Sequence, residues 1–374
     1  MASSARDWIE KIRGLETDRP VRILNVCGGH ERTLAAAGIR SLMPPNIRLI
    51  AGPGCPVCVC PEEDLYQLIR WAVAGEAIVV AFGDMLRVPV NAPKSEARSL
   101  EEAKAAGADV VAAASPRDAV EVARRNPDRP VIFHAVGFET TLAPISAAIV
   151  EGLPENLFLL MSGRLTWPIV AQLLASDDVN LEGLVAPGHV ATIMGATEWA
   201  FVPQEHGVPA AVAGFTAESL LEAIYTVASR AIDGAADLSN CYSLAVRDDG
   251  NALARQMMQE CFEVTDANWR GIGVIPNSGF ELKEKYAAHD ARRRFPVLET
   301  DRKRAGQMPA GCDCARVVMG RIAPNECVLY GAACTPRSPV GPCMVSDEGA
   351  CRIWWSSGIR ERAPGADAEA SPGP

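Results

Sequence analysis

Residues 21–31 read VRILNVCGGHE, and residues 131–141 read VIFHAVGFETT. In each, a short apolar run rich in β-branched residues stops at glycine and passes into helix-forming sequence, which is a strand leading into a helix. Two further stretches repeat the form: residues 47–60, IRLIAGPGCPVCVC, and residues 183–190, GLVAPGHV. Working outward, residues 21–215 alternate such runs with stretches of helical period, the pattern of a mostly parallel α/β sheet. Eight strands are expected, near residues 22–26, 47–51, 77–82, 109–113, 131–136, 157–161, 183–186 and 208–213. The clearest helices are expected over 62–74, where Pro61 precedes three acidic residues, over 217–232 after Thr216, and over 252–262.

Four of these strands precede the break Asn126-Pro127-Asp128-Arg129-Pro130 and four follow it. The expected organisation is therefore an α/β domain over 1–127, a second over 128–235, and a loop-rich, helix-containing domain over 236–360, where Gly, Pro and Cys punctuate the chain. Residues 361–374 form an expected disordered tail. Its end from Pro364, PGADAEASPGP, is small and polar, the composition of disorder.

At 374 residues the chain has the length of two to three domains. Its 36 basic and 46 acidic residues leave a net charge of −10, and no block of basic residues stands out, so nucleic acid is not an expected partner. The longest apolar runs, Ala77 to Phe82 and Leu157 to Met161, are far shorter than the roughly 18 residues of a membrane span. The first twenty residues mix charged and apolar side chains without the apolar stretch of a secretory signal. A cytoplasmic protein without a membrane partner is expected.

Twelve cysteines are clustered: four between Cys27 and Cys60, and six between Cys312 and Cys351. In a reducing compartment such clusters read as metal sites or redox chemistry. Ligands in parallel sheets bind at the carboxyl ends of strands, and there the sequence delivers Cys27 and His30, Cys55 and Cys58, Glu139, and His189. Cys27, ahead of a helix N-terminus that favours thiolate, can be a nucleophile, a soft-metal ligand or a small buried hydrophobe. The Cys55-Pro56-Val57-Cys58 motif can be a redox dithiol, half of a metal site, or a structural pair. Glu139 can be a general base, a binding carboxylate or part of a helix cap with Thr140 and Thr141. His189 can shuttle protons or be held by backbone, whereas His134 sits inside a strand and reads as core. The six C-terminal cysteines, none in a C-x-x-C, suit a four-thiolate cluster or a zinc site drawn from separate loops. No P-loop and no G-x-G-x-x-G is present, which disfavours a nucleotide enzyme.

Taken together, Cys27-Gly28-Gly29-His30-Glu31, Gly52-Pro53-Gly54-Cys55-Pro56-Val57-Cys58, Gly137-Phe138-Glu139-Thr140-Thr141, Pro187-Gly188-His189-Val190 and Gly341-Pro342-Cys343-Met344-Val345-Ser346 resemble the HypD family of [NiFe] hydrogenase maturation factors. The resemblance runs from about Trp8 to Ile353 with the five motifs in order. It implies a three-domain scaffold on which iron acquires cyanide and carbon monoxide before delivery to a hydrogenase. It further implies a [4Fe-4S] cluster on Cys312, Cys327, Cys334 and Cys351, with Cys314 and Cys343 as extra thiols. By the same resemblance Cys27 is the iron ligand, aided by His30, and Cys55 and Cys58 exchange electrons with the cluster. The implied partners are a HypC-type chaperone and a HypE-type cyanide donor. This chain departs from the family at Cys60, usually threonine, and at Gly188 and Ala191, usually serines. The competing class is a stand-alone, cluster-linked thiol oxidoreductase, for which Cys27 and the partners would be irrelevant.

Overall fold

A computed structural model of the chain describes residues 4–176, 180–295 and 308–363. All eight expected strands are present: β1 (Val21–Asn25), β2 (Ile47–Ala51), β3 (Ile78–Phe82), β4 (Val110–Ala113), β5 (Val131–Gly137), β6 (Leu157–Gly163), β7 (Gly183–Pro187) and β8 (Ala210–Ala213). A short β9, Leu238–Asn240, was not anticipated. They form two parallel sheets flanked by helices, of order β2-β1-β7-β8-β9 and β4-β3-β5-β6. The fold class is thus the expected α/β with two parallel sheets.

The sheets do not divide the chain at 127/128. The first sheet takes β1 and β2, the chain leaves to complete β3 to β6, and then returns with β7. The Asn126–Pro130 break is a turn inside the second sheet, between β4 and β5, where the Asn156 side-chain amide reaches the carbonyls of Ala123, Asn126 and Arg129. Turn chemistry marks the end of a helix equally well within a domain or between two. Register then fixes the functional edge. β1 pairs with β2 from Val21–Ile47 to Asn25–Ala51 and with β7 at Asn25–Val185, so the loops opening at Cys27, Gly52 and Pro187 emerge side by side.

The third, loop-rich region contains an antiparallel hairpin, β10 (Phe262–Trp269) with β11 (Gly273–Leu282), that the sequence conceals. Pro276, three glycines and a bulge between Thr265 and Ala267 break the period-2 pattern. The hairpin ties the molecule together. Leu165 N donates to Ser278 O at 2.9 Å, and Arg270 N donates to Val59 O at 3.0 Å. Trp269, fully buried, donates from its indole to Ser278 Oγ at 2.8 Å. Its core cluster spans residues of both sheets and the cysteine-rich segment.

Ala363 N still donates to Asn325 O at 2.8 Å, so residues 361–363 are tied to the body; the disorder expected of 364–374 concerns residues outside those described. Among the described residues, no helix is long and apolar enough to cross a membrane.

Replacing Trp269 by alanine removes the largest side chain of this junction, and cavity formation at a buried aromatic costs about 3–5 kcal/mol. Trp269→Ala is expected to lower the urea midpoint by that equivalent, whereas an unchanged midpoint would show that the hairpin does not brace the two sheets.

Candidate functional site

Cys27 occupies the N-cap of the Gly28–Ala36 helix, directly after β1. Backbone contact with two other segments encloses it. A Cβ on Gly54 would lie 2.5 Å from Cys27 N and Cα, and a Cβ on Gly28 would lie 2.5 Å from Glu348 Cβ. Only glycine permits both approaches, and Gly28 N donates to Gly54 O at 3.1 Å to hold one of them. The result is a small, partly covered cleft lined by Cys27, Cys55, Cys343, Glu31, Glu348 and Asn25 among others. Glu348 carries no sequence signal beyond its place after the Cys343 motif, and reading the chain alone did not find it.

Burial governs the electrostatics. Desolvation pushes the Cys27 thiol up to about 12, with nearby Glu348 and Glu31 adding to the rise and the His30 and Gly29 amides pulling the other way. The helix N-terminus expected to favour thiolate is thus outweighed, and Cys27 is a protonated thiol in the metal-free chain. Burial, then Asp84, raises Glu348 to about 7.

His30 is fully buried and neutral, desolvation holding it down to about 3. Its Nδ1 lies 3.1 Å from Asn25 Oδ1 and its Nε2 3.0 Å from Ala213 O, so both ring nitrogens are engaged by the protein. The ring is therefore oriented beside Cys27 rather than free to present a nitrogen. Glu31 is similarly occupied, accepting from Arg40 Nη2 at 2.8 Å, from the Trp354 indole at 3.2 Å and from Asn25 Nδ2 at 3.2 Å. Those contacts bind this helix to the C-terminal Ala350–Ser356 helix.

Cys55 caps the short Pro56–Val59 helix and is disulfide-bonded to Cys58, the pairing open to a redox dithiol. Cys60 is buried, with Sγ 3.6 Å from His134 Nε2, which also meets Ser162 Oγ at 3.0 Å. Ser162 donates to Asp64 at 2.7 Å, and Asp64 pairs with Arg292 at 2.8 Å. His134 is core, as expected, but part of a polar chain.

Glu139 and His189 lie apart from the Cys27 cavity lining. Glu139, 1% exposed, accepts from Thr166 N at 2.8 Å and from Thr166 Oγ1 at 2.7 Å, clasping the starts of the two helices that follow β5 and β6. Burial raises its carboxyl to about 7. His189 stacks on Phe215 with centroids 3.7 Å apart, and Phe215 in turn meets His30 at 4.8 Å. It reaches the Cys27 region through that aromatic ring and through its charge on His30.

The six C-terminal cysteines gather behind the cavity. The thiols of Cys312, Cys314, Cys343 and Cys351 act on one another as a series in that order, each titration shifted by its neighbour. Cys327 and Cys334 feel the charges of Cys312 and neighbour Cys351 electrostatically. Gly341 makes room for them, since a Cβ there would lie 2.6 Å from Cys312 Sγ and 2.4 Å from Cys314 Sγ. Among the described residues, no three His, Cys, Asp or Glu side chains converge on a single point as one metal ion demands. The donors are all sulfur, come from one segment and are largely buried, a donor set whose chemistry suits an iron-sulfur group.

A family model described as "Hydrogenase formation hypA family", HypD, matches residues 3–358. The chain is 39% identical over 350 residues to hydrogenase maturation factor HypD2 of Bradyrhizobium diazoefficiens, covering 91% of this chain and 90% of the relative. It is 38% identical over 349 residues to hydrogenase maturation factor HypD of Rhodobacter capsulatus, covering 92% and 91%. Against HypD of Azotobacter vinelandii the identity is 38% over 355 residues, covering 92% and 91%. With four of the five motifs at the carboxyl ends of strands in two parallel sheets and the fifth in the cysteine-rich segment, the chain belongs to the HypD family of hydrogenase maturation factors.

Proposed function

We propose that this maturation factor is a cytoplasmic scaffold on which an iron atom acquires cyanide and carbon monoxide ligands, the iron being cargo held through Cys27. The observation that carries the reading is that Cys27, Cys55, Cys343 and Glu348 line one small cleft. Iron bearing those ligands is electron-rich and binds soft thiolate. Loading it deprotonates Cys27, and Glu348, a carboxyl that titrates near neutrality beside the thiol, is placed to accept that proton. His30, its ring fixed by Asn25 and Ala213, orients the loop that presents Cys27.

Cys55 and Cys58 supply two electrons when their disulfide forms from two thiols, releasing two protons, and regain them when it is reduced. Cys312, Cys327, Cys334 and Cys351 would hold a [4Fe-4S] cluster, which would supply single electrons. Cys343 both lines the cavity and belongs to the sulfur series from Cys312. The scaffold works with other maturation proteins, a HypC-type chaperone sharing the iron and a HypE-type protein giving cyanide.

Protein purified without oxygen from cells containing the partners is expected to show cyanide and carbon monoxide stretching bands in the infrared, and Cys27→Ala to lose them. If the parent has no such bands although iron and sulfide are bound, the iron-carrying role fails and a cluster-linked thiol oxidoreductase takes its place. Gly54→Ala places a methyl against the Cys27 backbone, and overpacking of this kind costs about 1–3 kcal/mol. We expect a lower melting temperature and faster alkylation of Cys27 by iodoacetamide, read by mass spectrometry; parental melting and labelling would show that the loop has room to spare.

A further inference from the structure

Arg270 is 3% exposed and sits in the turn between β10 and β11. Its Nη2 donates to Glu62 Oε2 at 2.7 Å and to Pro89 O at 2.7 Å. Its Nε and Nη1 are buried and have no hydrogen-bond partner among the described residues. Each buried donor left unmade costs about 1–3 kcal/mol, so a guanidinium with two such edges calls for an acceptor, and Glu62 satisfies only the third.

The neighbours of the turn indicate where that acceptor belongs. Arg270 N donates to Val59 O, in the helix that carries Cys58. Gly271 packs on the cysteine-rich segment, where its Cβ would lie 3.1 Å from Ala315 Cβ, the residue after Cys314. The guanidinium charge acts on the Cys312 thiol and on Cys60. A cation with unused donors therefore stands between the disulfide helix and the cysteine cluster.

We infer that Arg270 is a positioning residue whose free Nε–H and Nη1–H groups face the anionic sulfur of the iron-sulfur group at its Cys312 corner, stabilising its reduced form. This rests on the proposed cluster. Hydrogen bonds and positive charge at cluster sulfurs favour the more negative, reduced state, and outer-shell donors set potentials as ligands do. Because Arg270 is also bonded to Val59 and Glu62, the same residue ties the cluster's electrostatic surroundings to the helix bearing the thiol pair.

The test compares full-length, cluster-loaded proteins under anaerobic redox titration, with cluster reduction followed by electron paramagnetic resonance. Glu62→Gln is the reference, since removing Arg270 alone would strand a buried carboxylate. At a fixed potential, Glu62→Gln/Arg270→Met is expected to hold about tenfold less reduced cluster than Glu62→Gln, equivalent to 59 mV for a one-electron couple. Glu62→Gln/Arg270→Lys, keeping the charge without the planar donors, should recover part of the loss. An unchanged ratio in the Met variant, with iron and sulfide intact, overturns the inference. A parent that binds no iron and sulfide instead defeats the cluster reading itself. Melting of the metal-free proteins covers variants that lose the cluster. If Arg270 faces the cluster, metal-free Glu62→Gln/Arg270→Met melts no earlier than metal-free Glu62→Gln; an earlier transition makes Arg270 a brace of the fold and overturns the inference.

Discussion

Everything at the functional edge depends on backbone meeting backbone without intervening side chains. Gly54 lies against the main chain of Cys27, and Gly28 lies against Glu348. These two contacts let a loop from β2 and a segment from the C-terminal third close on the residue that ends β1. A methyl group at either point would separate them and open the cavity to water. Water would in turn relieve the desolvation that keeps Cys27 protonated and Glu348 near neutrality. Steric permission thus comes first, and the chemistry of the enclosed groups follows from it.

Around that cleft several buried carboxylates are held in pairs and chains. Glu31 is held by Arg40, Asn25 and Trp354, Asp64 by Arg292 and Ser162, and Glu62 by Arg270. Each carboxylate joins an element of a parallel sheet to a residue far along the sequence. An ion pair buried in this way contributes little net stability relative to a well-packed apolar contact, but breaking it is costly because a lone charge remains. The Arg270 and Arg292 pairs specify how the hairpin region seats on the sheets, and the Trp354 contact with Glu31 does so for the C-terminal segment.

The strands were legible in the sequence because each buried parallel strand is a short apolar run closed by glycine or proline. The reactive edge was legible for the same reason: in such sheets, the residues after each strand define the ligand face, and Cys27, Cys55 and His189 all follow that rule. Pairing order was not legible, since β2 and β4 carry the same kind of pattern and nothing local says which sheet each will join. The hairpin was hidden by its own glycines, proline and bulge. Glu348 and Arg270 escaped notice because their importance comes from contacts across more than two hundred residues, and a single carboxylate or guanidinium has no periodicity to betray it. Cys314 and Cys343 stood out as thiols, but their place in the sulfur series exists only once the loops are folded.

The route of the chain between its two sheets bears on how the protein is made. β3 to β6 are contiguous in sequence and can pair as soon as they leave the ribosome, whereas β1 and β2 must wait for β7 to acquire their inner neighbour. Non-local pairing of this kind is slow relative to local pairing. During synthesis the nascent chain therefore carries the Cys27 and Cys55 loops in an unfinished two-strand unit while the 131 residues between Ala51 and Gly183 are added, roughly ten seconds or more at ordinary elongation rates. Cys55 and Cys58, buried in the finished protein, and Cys27, partly covered there, are open to oxidants and stray metal throughout that interval.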